Sequence, residues 1–254
     1  MPTDLAVEAL LGWYERERRD LPWRRTRDPY AILVSEVMLQ QTQVARVVPR
    51  YEAWIERWPT AAALAAEPLE EVLRAWVGLG YNRRAARLWE AARVVARDGW
   101  PERLQDLPGV GPYTAAALGS FAFGRDEVAL DTNARRVFAR VGRALAPAPG
   151  RAADFNQATM ELGATVCTAR APRCPVCPLS GGCAGPEAAA PRSPGGGRER
   201  FEDSNRWVRG RVVAALAAGE GLPAGIAPER LEPALHGLVR DGLIRRTAAG
   251  YALG

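Results

Sequence analysis

Glu102-Arg103-Leu104-Gln105-Asp106-Leu107-Pro108-Gly109-Val110-Gly111-Pro112-Tyr113 joins two apolar-periodic stretches, Glu102–Leu107 and Tyr113–Phe121. The spacing predicts a helix, a tight Pro/Gly hairpin and a second helix. Glycines in that hairpin let backbone N–H groups approach an anion at the second helix's N-terminus. By itself a Gly-x-Gly turn is equally an ordinary helix connection. Outward from it the apolar spacing stays helical, without a convincing alternating strand pattern, so the fold class expected is all-α. Asp28-Pro29 opens a helix expected over Tyr30–Val44. Further helices are expected over Leu69–Trp76, Arg84–Arg97 and Ala152–Val166, and from a cap at Asp131 or Thr132 through Val141.

Ala184 to Ser204 is rich in Pro, Gly and Ala around Pro194-Gly195-Gly196-Gly197 and reads as a flexible linker. Beyond it, helices over Trp207–Ala218 and Pro228–Asp241 precede a hairpin from Leu243–Arg246 to Tyr251–Leu253, turning at Ala249-Gly250. That order suggests a separate winged-helix-like module over residues 205–254.

The chain's 34 basic residues are all arginines, and its formal net charge is +5. Arginine forks suit phosphate, so the balance favours a polyanionic partner. With no lysine, Schiff-base, lysine-base and P-loop chemistry are excluded. No apolar run approaches the about 18 residues a membrane span needs, and no basic, apolar secretory leader opens the chain, so a cytoplasmic protein is expected.

In a reducing compartment the four cysteines, Cys167, Cys174, Cys177 and Cys183, read as metal ligands rather than disulfides. Their C-x6-C-x2-C-x5-C spacing crowds four thiolates and asks for a soft metal centre. Zinc and a 4Fe–4S cluster both satisfy it.

The hairpin Leu107–Gly111 with Asp131 about twenty residues on matches the helix-hairpin-helix and Gly/Pro-Asp signature. Together with the cysteine array and several further stretches, it makes residues 5 to about 185 resemble the MutY-type adenine DNA glycosylases. The matching stretches are Leu21–Arg24, Ser35–Val44, Gly78–Tyr81, Leu130–Asn133 and Met160–Ala164. The resemblance implies a two-lobed helical fold with duplex DNA in the cleft, a six-helix lobe over about 23–130, and a cluster lobe from the N-terminal helix and 131–183. It also implies that the cysteines hold a 4Fe–4S cluster, and adds a monovalent or divalent cation at the hairpin, a monomeric state and a bacterial source.

Site roles follow from the same resemblance. Glu36 lies among Ile32, Leu33, Val34, Val37, Met38 and Leu39, where desolvation should raise its pKa toward that of a general acid. The resemblance makes it the acid that protonates adenine; the pattern alone equally allows an exposed helix glutamate. Asp131, otherwise a plain helix cap, would stabilise the cationic sugar, and Asn133 would orient it. Tyr113, which could also be a core aromatic, fills the position where bifunctional relatives carry a nucleophilic lysine, implying base release without lyase chemistry. Trp23, Arg24, Leu39, Val44 and Glu161 match the adenine pocket, although Trp23 and Leu39 would otherwise read as core. Gln41 and Tyr81 match wedges beside the opposite base, and Leu107, Gly109, Val110 and Gly111 match the DNA-gripping hairpin. Two positions depart from the family: Thr132 replaces the usual glycine, and Asn82 replaces a second tyrosine. No Nudix-like C-terminal domain is expected from the fifty-residue tail, which resembles the short extension of actinobacterial members. A mismatch thymine/uracil glycosylase shares Tyr113, Asp131 and the cluster and is the nearest alternative. A non-catalytic DNA-binding protein is the more distant one.

Overall fold

The computed structural model describes residues 4–189 and 200–254. The Pro194–Gly197 centre of the expected linker lies outside them, while Pro186–Ala189 and Phe201–Asp203 form short 3-10 turns. The described residues divide into two compact units, one of residues 4–32 and 110–189, the other of residues 33–109 and 200–254.

In the first unit, α1 (Leu5–Glu17) packs on α9 (Ala152–Thr165), as do α7 (Pro112–Phe123) and α8 (Thr132–Val141). Leu10, Leu11, Trp13, Val137, Phe155, Ala158, Leu162 and Val166 form its core. Gly163 is required where α9 meets α8, because a Cβ there would lie 2.6 Å from that of Asn133. Packing of α7 on α9 draws it into this unit, so the expected lobe boundary near 130 does not match the division.

The second unit holds most of α2 (Pro29–Leu39), then α3 (Val44–Arg57), α4 (Ala61–Ala65), α5 (Leu69–Trp76) and α6 (Arg83–Asp98). Trp54 packs edge-on against Trp58 and Trp76, with centroids 4.7 and 5.6 Å away. The buried indoles are satisfied, with Trp58 Nε1 donating to Glu67 and Trp76 Nε1 to the Gly80 carbonyl.

Four sequence expectations need correction. The helix opened by Asp28 stops at Leu39 rather than Val44, and Gln41 takes a left-handed φ of 56°. Glu102–Leu107 is not a helix: only Leu104–Asp106 makes a 3-10 turn, and Pro108, with no N–H to donate back, bars it from continuing. The tail keeps the predicted order, α10 (Asn205–Ala217), α11 (Pro228–Arg240) and strands β1 (Ile244–Thr247) and β2 (Gly250–Leu253). The strands pair antiparallel with Thr247 opposite Gly250, moving the turn to Ala248-Ala249. However, the tail is not a separate unit: α10 packs on α5, and Arg74 of α5 donates to the Ala217 carbonyl. Among the described residues no helix is long and apolar enough to cross a membrane.

Candidate active site

Asp131 is the N-cap of α8, and both of its carboxylate oxygens are engaged. Oδ1 accepts from the Ala134 amide at 2.6 Å, and Oδ2 from Asn133 Nδ2 at 2.9 Å. Asn133 Oδ1 in turn accepts from Arg136 Nη2 at 2.9 Å. Arg136 also donates to the carbonyls of Gly163 (2.7 Å) and Cys167 (2.9 Å). A continuous hydrogen-bonded chain thus runs from the aspartate to the cysteine loop. The approach to Asp131 is held by buried Asn156, which accepts from the Ala129 amide and donates to Ser120 Oγ and the Glu127 carbonyl.

Glu161 lies on α9 with a fully buried side chain bridged by two arginines. Arg19 Nε reaches Oε1 at 2.7 Å and Nη2 reaches Oε2 at 2.9 Å, while Arg24 Nη2 reaches Oε2 at 2.8 Å. Burial alone would raise this carboxyl, but the Arg19 hydrogen bonds and the Arg24 charge outweigh it and hold its pKa below the ordinary 4.5. The structure therefore brings Arg24 and Glu161 together, beside Trp23, buried to 9% exposure on the turn that carries Arg24. Arg19, which sequence reasoning missed, completes the pair; its only sequence signal is membership of the run Arg16–Arg19. Because a lowered folded-state pKa stabilises above the unfolded value, this contribution is lost as pH falls through and below about 4.5. Glu161→Gln should lower neutral-pH stability by about 3 kcal/mol, since it removes the counter-charge of Arg24, only 12% exposed, and of the part-exposed Arg19. It should also flatten the acid limb of a plot of melting temperature against pH.

In the second unit, Glu36 lies on α2 at 7% exposure, among the buried Leu33, Val34, Val37 and Met38. Leu39 and Val44 are half-buried at either side of the α2–α3 turn. That turn and the Gly78–Gly80 loop are pinned by one residue, Arg84. Its Nη1 donates to the carbonyls of Val37, Met38 and Gln40, and its Nη2 to those of Leu79 and Gly80 and to Thr42 Oγ1, all at 2.7–3.1 Å. Burial lowers its pKa to about 10, which leaves it charged at neutral pH. Gln41 and Tyr81 both take left-handed backbone conformations, φ 56° and 48°, and Tyr81 donates its hydroxyl hydrogen to Gln41 Oε1.

In the hairpin, Leu107 is buried and Gly109 has φ 78°. A Cβ on Gly109 would lie 2.7 Å from Arg87 Cβ, so both the turn and the close approach of α6 demand glycine. Gly111 caps α7, with Pro112 at its first position, while Val110 is buried. Tyr113 follows in the first turn, half-buried, with its hydroxyl 3.8 Å from Met160 Sδ.

Cys167, Cys174, Cys177 and Cys183 are free thiols that wall one cavity of about 150 Å³ with Arg140 and Arg173. Arg140, 3% exposed, donates to Cys167 Sγ at 3.4 Å and to the carbonyls of Thr168 and Ala169, while its Nε is a buried donor without a protein partner. Burial pushes the Cys177 thiol up, and proximity of the other three sulfurs adds to it. Four soft donors around one cavity, with an orphaned cationic donor on its wall, fit an anionic thiolate-bound metal centre. Among the described residues, no three side chains of His, Cys, Asp or Glu are grouped as a single-ion site.

The pattern of the HhH-GPD superfamily of base excision DNA repair proteins matches residues 34–157. The adenine DNA glycosylase of Mycobacterium tuberculosis is 44% identical, over 98% of this chain and 93% of its own length. The chain belongs to the adenine DNA glycosylase family. Its human member is 46% identical over 69% of this chain, which covers 38% of the human protein. Among solved structures, a thermostable thymine-DNA glycosylase matches with TM-score 0.65 and 33% identity, over 71% of this chain and 94% of that one. An endonuclease III–DNA complex, at TM-score 0.62 and 24% identity over 72% and 94%, shares the fold. Membership makes this chain a helical DNA glycosylase of base excision repair.

Proposed function

We propose that the chain removes adenine from duplex DNA, opposite 8-oxoguanine or guanine, and leaves an abasic site. Near-full-length likeness to proteins named adenine DNA glycosylase carries this reading. The target base must leave the stack for its glycosidic bond to be reached. Glu36, in apolar surroundings, protonates a ring nitrogen as the N-glycosidic electron pair departs with the base. Asp131, its oxygens oriented by Asn133 and the Ala134 amide, stabilises the positive charge that develops on the sugar, and water completes the sugar product. Trp23, Arg24, Leu39, Val44 and Glu161 shape the adenine pocket, with Glu161 acting through the two arginines it holds. The N–H groups of Gly109, Val110 and Gly111 grip a phosphate. Tyr113 offers no amine, and the chain has no lysine, so borohydride should trap essentially no covalent DNA adduct. The protein acts in the bacterial cytoplasm, as a monomer.

The four cysteines would hold a 4Fe–4S cluster, whose bonds supply a covalent staple for a loop without a core of its own. Protein purified without oxygen should be brown, with broad absorption near ~400 nm. Cys177→Ser should bleach it and lower its melting temperature. A colourless, zinc-loaded protein would overturn the cofactor assignment.

Likeness to a thymine-DNA glycosylase keeps a second substrate in view. Duplexes carrying adenine opposite 8-oxoguanine and thymine opposite guanine, assayed side by side, decide between them. Adenine release is expected; thymine release without adenine would overturn the proposal.

A further inference from the structure

The C-terminal segment enters the second unit beside Gln41 and Tyr81. Arg206, in the first turn of α10, donates from Nη1 to the Tyr81 hydroxyl, its guanidinium carbon 4.9 Å from the centre of that ring. The same guanidinium carbon lies 5.0 Å from the centre of the Phe201 ring. Tyr81 and Phe201 are large hydrophobic side chains left exposed, at 37% and 49%. Arg84 approaches the Tyr81 ring too, at 5.5 Å.

This arrangement has two consequences. A phenol that accepts from Arg206 keeps its own hydrogen for Gln41 Oε1, which fixes that amide oxygen toward Tyr81. Meanwhile, among the described residues no carboxylate pairs with Arg206; neutral groups hold it, so its charge is uncompensated at an exposed surface. An exposed planar cation beside two aromatic rings, with one of its five N–H groups used by Tyr81, matches a phosphodiester oxygen pair.

We propose that Arg206 contacts a DNA phosphate and holds the Tyr81–Gln41 pair in its working geometry, which makes the C-terminal segment part of the DNA-binding surface. This rests on the DNA-glycosylase reading above and extends it to a segment to which that reading assigns no role. The test uses full-length protein and a fluorescent duplex with a non-cleavable adenine analogue opposite 8-oxoguanine, with affinity measured across salt concentrations. Arg206→Ala should weaken binding about 5–10-fold and reduce the log–log salt slope by about 0.9, the loss of one phosphate contact. Arg206→Lys keeps a cation and should recover most of the slope. Arg246→Ala, which removes the same charge from the exposed strand β1, should leave it unchanged. Wild-type affinity and slope in Arg206→Ala would overturn the proposal. So would an Arg246→Ala effect of equal size, or a lysine variant as weak as alanine. Should wild-type protein release no adenine while the Arg206 slope change persists, the activity assignment fails and the DNA contact stands.

Discussion

Replacing Glu36 with Gln lowers the single-turnover rate of adenine release by about 10³-fold, the scale of a lost general acid. Gln nearly matches Glu in volume and removes only the ionisable carboxyl at this 7%-exposed position, the mildest change that deletes the acid. Folding and duplex affinity are therefore retained, and the loss falls on the chemical step. Asp131 provides the matching case, because its carboxylate has both a structural and a chemical role. Asparagine is as good an N-cap as aspartate, so Asp131→Asn keeps α8 in place while removing the negative charge. Asp131→Ala loses the cap as well, at about 1 kcal/mol. If both neutral variants kept near-wild-type rates under saturating enzyme, the two-carboxylate mechanism would be wrong.

Arg84→Met should cost about 3–5 kcal/mol of stability, as expected when one partner of a buried charged hydrogen-bond network is removed. Five backbone carbonyls, those of Val37, Met38, Gln40, Leu79 and Gly80, would each lose a donor in the same step, Gly80 keeping Trp76 Nε1. The first three terminate α2, where a cation also complements the negative end of the helix dipole. Left-handed conformations at Gln41 and Tyr81 cost of order 1–3 kcal/mol each and persist only while their surroundings impose them. Duplex affinity should therefore fall as well. Thermal melts and anisotropy on Arg84→Met check both. A variant that melts like wild type would show that the turn holds itself, and Arg84→Lys, with one point charge, should not restore it.

Where the sequence carries its own stop and start signals, the elements were legible. Asp131 caps α8, Asp98-Gly99 ends α6, and Leu69–Trp76 appears with the expected bounds. The cysteine array announced a common site, and its four thiols do wall one cavity. Legibility failed at Leu39, where no Gly or Pro marks the end of α2. There the helix ends because an arginine more than forty residues away captures its last carbonyls. Arg19 failed for a similar reason. In a chain whose basic residues are all arginine, composition cannot tell a guanidinium that grips Glu161 from one that faces water.

The sequence by itself determined the chemistry available to this protein. It supplied buried-acid and capping-acid candidates, four cysteine thiols spaced as soft metal donors, a Gly-rich hairpin and no lysine amine. Those follow from residue identity and short-range spacing, which the chain states directly. Only the tertiary structure decided which arginines are structural pins, that the tail joins the second unit, and that Arg206 meets Tyr81. Each of these depends on a contact between residues far apart in the chain. Guanidinium hydrogen bonds, half-buried at Arg84 and exposed at Arg206, make these contacts, and no local pattern encodes them.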